Sequence, residues 1–148
     1  MIIRKMTKGD LKEVADIEKE IFSTPWSQKS FQNAIENNHN VYYVAVIDDK
    51  IVGYIGIWGV ADEGQINNVA VAKEYRNQGI CTSILTKVME ECKDRGVMAF
   101  TLEVRVSNEA AIRVYEKMGF KNCGIRKNYY KKPEEDAMIM WYGQNPNQ

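Results

Sequence analysis

The chain is poor in the residues that metal and nucleophile chemistry most often uses: one histidine, His39, and three cysteines among 148 residues. A single histidine excludes a two-histidine metal site. A Ser-His-Asp triad would depend on a residue set in the polar run Glu36-Asn37-Asn38-His39-Asn40, which reads as an exposed loop. Cys81, Cys92 and Cys123 form no Cys-x-x-Cys pair and leave an odd thiol under any single pairing, as expected of reduced cysteines in a cytoplasmic protein. Net charge is missing as well. Twenty Lys+Arg balance 20 Asp+Glu, so no global field draws the chain to nucleic acid or to an anionic membrane. Uninterrupted apolar runs stop after a few residues, as at Val44–Ile47, far short of the roughly 18 of a membrane span. No secretory signal is expected ahead of the first amphipathic stretch. Chemistry is therefore sought among carboxylates, tyrosines and backbone amides, with no metal.

What is present suffices for one domain. At 45% hydrophobic and 27% charged, the chain has material for a sizeable core and no room for a second one. The expected unit is 1–148, with 143–148 a frayed polar tail. Ile2–Met6 reads as a strand. Thr7 is placed to cap a helix carrying Leu11, Val14, Ala15, Ile17, Ile21 and Phe22 inward. Pro25-Trp26-Ser27 interrupts it, and Ser27 or Ser30 starts a second helix with Phe31, Ala34 and Ile35 toward the core. Val41–Ile47 and Ile51–Trp58 are β-branched and aromatic around Asp48-Asp49-Lys50, an antiparallel hairpin. After Asp62-Glu63-Gly64, Gln65–Val71 reads as a short strand.

From Gly79, the residues Ile80, Ile84, Leu85, Val88, Met89 and Cys92 recur at helical spacing until Gly96 stops the helix. Ala99–Arg105 alternates, with Phe100, Leu102 and Val104 on one face and Thr101, Glu103 and Arg105 on the other. Ser107 or Asn108 caps a helix over Glu109–Met118, which Gly119 ends. Extended chain follows from Phe120, and Ala137–Tyr142 is the last strand. The order β-α-α-β-β-β-α-β-α-β-β predicts an α/β domain with a mixed sheet of about seven strands flanked by about four helices.

The most informative stretch runs from Val69 to Thr82. A strand enters a loop containing Arg76 and Gly79, and a helix begins directly behind, so free backbone N–H groups and the positive end of the helix dipole converge on one point. That arrangement suits a pyrophosphate, and Arg76 can add a charge-assisted contact. On spacing alone a tight turn closing on its helix is the more ordinary reading. The Gly-Lys-Ser/Thr of a P-loop and a triple-glycine dinucleotide fingerprint are both absent, which disfavours nucleotide-triphosphate hydrolysis.

In this setting Arg76-x-x-Gly79-x-Cys81 resembles the Arg/Gln-x-x-Gly-x-Gly/Ala acetyl-coenzyme A loop of the GNAT N-acetyltransferase superfamily. The likeness extends from Ile3-Arg4-Lys5-Met6-Thr7 through Asn108-x-x-Ala111-x-x-x-Tyr115-x-x-x-Gly119-Phe120. Pro25-Trp26-Ser27, Leu102-Glu103-Val104-Arg105-x-Ser107-Asn108, and Asn128-Tyr129-Tyr130 with Glu135-Asp136-Ala137 are similar to the branch of that superfamily acting on ribosomal-protein N-termini. Cys81 departs from the small residue usual at its place and is expected to crowd the loop slightly.

The resemblance implies a single GNAT-like domain and a division of labour. The backbone of Val69, Ala70 and Val71 would hold the acetyl and pantetheine groups of acetyl-coenzyme A. Arg76, Asn77, Gln78, Gly79, Ile80, Cys81 and Thr82 would cradle its pyrophosphate, and Asn108 would hold the pantetheine arm. Glu103 would be the general base and Tyr115 the general acid. The acceptor implied is the N-terminal alanine of a small-subunit ribosomal protein, with no direct nucleic-acid or membrane partner.

Read alone, Glu103 is more readily a solvated residue on a strand's polar face, and Tyr115 an amphipathic core residue beside Ala111, Ile112 and Met118. Trp26, Tyr129 and Tyr130 are expected to flank the acceptor, with acidic groups nearby reading a basic peptide. The other reading there is a surface hairpin with packed tyrosines. Acetyl transfer needs a neutral amine, and an α-amine, with a pKa of about 7.7–8.0, gives up its proton more readily than a lysine near 10.4. Acetylation of a lysine or small-molecule amine, and a non-catalytic acyl-coenzyme A binding module, are the alternatives. The acceptor's breadth, the oligomeric state, any regulatory role and any accessory protein are not legible in the sequence.

Overall fold

The computed structural model describes residues 1–143; of the expected tail, 144–148 lie outside them, while Gly143 ends a strand. β1 (Ile2–Lys5) leads into a single 3₁₀ turn (Lys8–Asp10) before α1 (Leu11–Ile21). Thr7 therefore caps this turn and not α1 itself. The Asp10 carboxylate folds back to accept from the Thr7 N–H at 2.8 Å and pairs with Arg4 at 2.7 Å, which tightens the entry. Phe22, expected to point inward, sits past the helix end in extended backbone and is exposed. α2 (Gln28–Glu36) starts at Ser27, whose hydroxyl accepts from the Ser30 N–H at 3.1 Å.

β2 (Asn40–Ile47) and β3 (Lys50–Val60) form the expected hairpin. Its two turn residues, Asp48 and Asp49, have φ of 50° and 64°, the twist that joins antiparallel strands tightly. β4 (Glu63–Val71) begins earlier than its residue pattern suggests, because Ala61 and Asp62 alone make the turn from β3. α3 (Ile80–Asp94), β5 (Ala99–Arg105), α4 (Glu109–Met118), β6 (Lys121–Lys131) and β7 (Glu134–Gly143) complete the chain. β7 takes in Glu134–Asp136, which pairing with β6 from Lys131↔Glu134 onward holds in the sheet.

The strands make one seven-stranded sheet in the order β1-β2-β3-β4-β5-β7-β6, mixed as expected, with four α-helices. α3 packs one face over a core that includes Val52, Ile55, Ile84, Leu85, Val88, Phe100, Leu102 and Met140. Leu11, Val14, Phe31 and Ala34, from α1 and α2, bury Val44 and Tyr54 on the other face. Each fully buried Val, Leu, Ile, Phe or Met among them contributes about 1.5–3 kcal/mol.

One irregularity positions everything that follows. β4 and β5 are parallel neighbours joined through α3, yet they pair only from Glu63↔Ala99 to Gln65↔Thr101. Beyond that point β4 runs on to Val71 and β5 to Arg105 without pairing to one another. On its other side β4 pairs Asn68 with Gly56 and Ile66 with Ile57, leaving Asn67 as an extra residue. Such a bulge bends its strand, so β4 turns away from β5 where the fork opens.

Candidate active site

The fork is open at the carboxyl ends of both strands, and the loop from β4 to α3 closes its mouth. Parallel strands that separate leave backbone N–H and C=O groups without sheet partners, available to a ligand. One wall is β4, carrying Val69, Ala70 and Val71. Asn77 (φ 64°) and Gly79 (φ 76°) fold the loop over Arg76–Gly79 in left-handed backbone. Gly79 is the N-cap residue of α3 and no side chain caps the helix, so the N–H groups of Ile80, Cys81 and Thr82 have no acceptor within it. Arg76 donates from Nε to the Val71 carbonyl at 3.2 Å, tying the loop to the end of β4. Cys81, in the first turn of α3, packs against the core, and burial pushes its thiol up to about 11.

The other wall is β5. Alternation holds: Phe100, Leu102 and Val104 are buried while Glu103 faces the fork side. The Glu103 side chain retains 11% exposure and is surrounded by donors. Gln65 Nε2 lies 3.4 Å from Oε1 and Arg126 Nε 3.6 Å from Oε2. The Tyr130 hydroxyl donates to the Glu103 backbone carbonyl at 3.2 Å. Burial, then Tyr129 and Glu103, push the Tyr130 phenol up to about 12, and the Tyr129 phenol is raised by burial and then by Glu103. Both tyrosines expected near the acceptor thus converge on the expected base.

Tyr115 is on α4, 6% exposed, with its ring 5.7 Å from Phe120. Burial, then the neighbouring Cys81 and Tyr130, push its phenol far above the usual value. It is therefore a core residue by packing whose titratable neighbours lie on the first turn of α3 and on β6. Asn108 is exposed and caps α4, its Oδ1 accepting from the Ala111 N–H at 3.2 Å, which leaves the amide nitrogen directed elsewhere.

Trp26 closes the site from the α1–α2 loop, with ring centroids 5.2 Å from Phe31 and 6.2 Å from Trp58. Trp58 stands opposite Gln65 in the β3–β4 register, so Trp26, Trp58, Gln65 and Glu103 form a continuous line. The same loop reaches the β6–β7 turn, where the Ser23 hydroxyl donates to the Lys132 carbonyl. Two acidic residues beside the tyrosines, Glu135 and Asp136, have partners within the chain. Glu135 accepts from the Ser107 N–H at 2.8 Å and pairs with Arg105 at 3.1 Å; hydrogen bonds from Ser107, then Arg105, hold its carboxyl below the usual range, and Asp136 accepts from the Asn128 N–H at 2.9 Å.

Sequence reasoning missed Gln65, Arg126 and Glu18. Gln65 and Arg126 meet Glu103 only across strands. Glu18 is 4% exposed and accepts from the Trp26 N–H at 3.0 Å and the Tyr54 hydroxyl at 2.6 Å, so a buried carboxylate anchors the α1–α2 loop. The sole available signal for Glu18 was its place in the apolar stripe of α1. Among the described residues there is no helix long and apolar enough to cross a membrane, and no group of three or more metal-ligating side chains.

A splayed parallel pair, an uncapped helix N-terminus at its mouth and a carboxylate on the opposite wall define a transferase of groups carried on a phosphate-bearing cosubstrate. Comparison makes the class particular: a model of the acetyltransferase (GNAT) family matches residues 11–120, and the chain belongs to that family. It is similar to a Bacillus subtilis (strain 168) protein, 41% identical over 94% of this chain and 93% of that one, whose name gives ribosomal protein bS18-alanine N-acetyltransferase provisionally. The ribosomal protein bS18-alanine N-acetyltransferase of Escherichia coli (strain K12) is 34% identical over 93% and 94%. The crystal structure of the ribosomal-protein-S18-alanine N-acetyltransferase from Escherichia coli superposes with a TM-score of 0.89 at 32% identity, covering 99% of this chain and 97% of that one.

Proposed function

We propose that this acetyltransferase moves acetyl from acetyl-coenzyme A to the N-terminal alanine amine of a small-subunit ribosomal protein in the cytoplasm. The observation that carries the transfer is the β4–β5 fork, with free backbone on one wall and Glu103 on the other. The acceptor is supported by the names of the full-length relatives. Arg76–Thr82 bind the pyrophosphate, with Gln78 in the exposed turn, and Asn108 takes the pantetheine arm through its amide nitrogen. The backbone of Val69–Val71 aligns the thioester and polarises its carbonyl. The family's reaction uses no metal in this reading.

The acceptor enters between Trp26 and the Tyr129–Tyr130 segment. Its amine nitrogen attacks the thioester carbon, an N–C bond forms, the C–S bond breaks, and the amine's surplus proton goes to Glu103, directly or through water. Tyr115 stays protonated because burial disfavours its phenolate, so it donates to the departing thiolate. A thiol titrates near 8.5, below the tyrosine phenol, so Tyr115 keeps its proton and stabilises the thiolate by a hydrogen bond, and coenzyme A leaves as the thiolate to take up a proton from solvent.

The test is coenzyme A release with mass analysis of products. One peptide starts with alanine in a ribosomal-type sequence; its match has a blocked N-terminus and a free internal lysine. Acetylation confined to the free N-terminus is expected. Acetylation of the lysine overturns the acceptor, and coenzyme A binding without any transfer overturns the enzyme reading.

A further inference from the structure

Tyr42, Gly56 and Asn68 lie in one row across β2, β3 and β4. The Tyr42 ring lies over Gly56, where a Cβ would overlap it. Its oxygen accepts from Trp58 Nε1 at 2.9 Å and donates to Asn68 Oδ1 at 2.6 Å. An indole N–H can only donate, so the phenol proton must point to Asn68, which fixes the direction of both bonds. Tyr42 and Asn68 are buried, 5% and 7% exposed. Asn68 immediately follows the extra residue Asn67 and precedes Val69, and Trp58 also packs on Trp26.

We infer that Tyr42, Asn68 and Trp58, over the space Gly56 leaves, are positioning residues for acetyl transfer. They set the bulge that aims the Val69 backbone and tie that strand to the acceptor loop. The inference rests on the proposed function, in which β4 grips the acetyl group. The physical reason is specific: at a bulge the ladder no longer fixes the strand, and the side-chain hydrogen bond that Asn68 accepts from Tyr42 holds it instead. Coenzyme A held at its pyrophosphate is nearly indifferent to this alignment, whereas the carbonyl passing through the transition state is not.

Tyr42→Phe, Asn68→Ala and the double variant are compared with wild type for kcat, both KM values, and coenzyme A affinity and stoichiometry by calorimetry. Each single change is expected to lower kcat per coenzyme-binding site about tenfold, the scale of one buried hydrogen bond, with no further loss in the double variant. The Kd for coenzyme A, which lacks the acetyl group, changes less than about twofold. Trp58→Phe, at a partly exposed position that tolerates the change, is expected to lower kcat in the same direction and raise the peptide KM. A wild-type kcat per binding site in these variants, or losses that multiply in the double variant, overturns the network. A wild type that transfers no acetyl overturns the proposed function and the network with it, so the two failures are separable.

Discussion

A proton must leave the amine and a negative charge must settle on sulfur, and the two residues proposed for these tasks occupy opposite environments. Glu103 keeps contact with solvent and three polar neighbours, while Tyr115 is packed against Phe120. Glu103→Gln leaves only amines that are already neutral. Since an α-amine is mostly protonated below about 7.7, the variant is expected to lose most rate under neutral pH and progressively less above it. A pH–rate profile checks this, with coenzyme A affinity unchanged. Tyr115→Phe keeps the ring packing and removes the donor to the developing thiolate, so kcat should fall by about 10²–10³ while the melting temperature stays close to that of wild type. Unfolding of that variant would assign Tyr115 to the core alone.

At the scale of elements, the turn into α3 leaves open the helix N-terminus that a capping side chain would close. Gly79 has φ 76° and nothing within 4 Å of a Cβ placed on it, so Gly79→Ala is resisted by backbone conformation and not by crowding. Its cost is about 1–2 kcal/mol, read as a lower melting temperature, and reorientation of the first-turn amides should weaken coenzyme A binding several-fold. Ser27→Ala acts on the other substrate. Losing the α2 cap costs about 1 kcal/mol and loosens the Trp26 loop, so the peptide KM rises while the acetyl-coenzyme A KM does not. Steady-state kinetics with each substrate varied in turn separates the two effects.

For the whole molecule, two levers on stability follow. Burial would raise the Asp10 carboxyl, but hydrogen bonds from Arg4 and Thr7 outweigh it, and the group titrates below its usual 3.8. A carboxyl lowered on folding contributes stability that is complete above that value and is lost as pH falls through the folded value. Asp10→Asn should therefore flatten the acid limb of melting temperature against pH below about 4, and lower the plateau above it. Acetyl-coenzyme A, binding only the folded chain, adds about 2.7 kcal/mol at a hundredfold excess over Kd, a rise of several degrees in melting temperature.

Local patterns were enough for the elements. Residue alternation from Ala99 to Arg105 turned Glu103 away from the core, and Gly96 and Gly119 marked helix ends, because backbone preference and hydrophobic period are properties of neighbours in the chain. The order of strands and helices, the glycine turn into α3 at Gly79 and the loop position of His39 were legible for the same reason. The fork was not. It depends on where β4 stops pairing with β5, and that depends on Asn67 bulging against β3, where Tyr42 lies across Gly56. Nor could the chain alone assign Gln65 and Arg126 to Glu103, or Glu135 to Arg105 and Ser107, since each contact joins residues at least 23 positions apart. By itself the sequence determined which segments fold and what chemistry they carry. Tertiary structure decided which carboxylate meets Gln65 and Arg126 and which pairs with Arg105 and Ser107, because charge pairing and strand register are fixed only when distant segments meet.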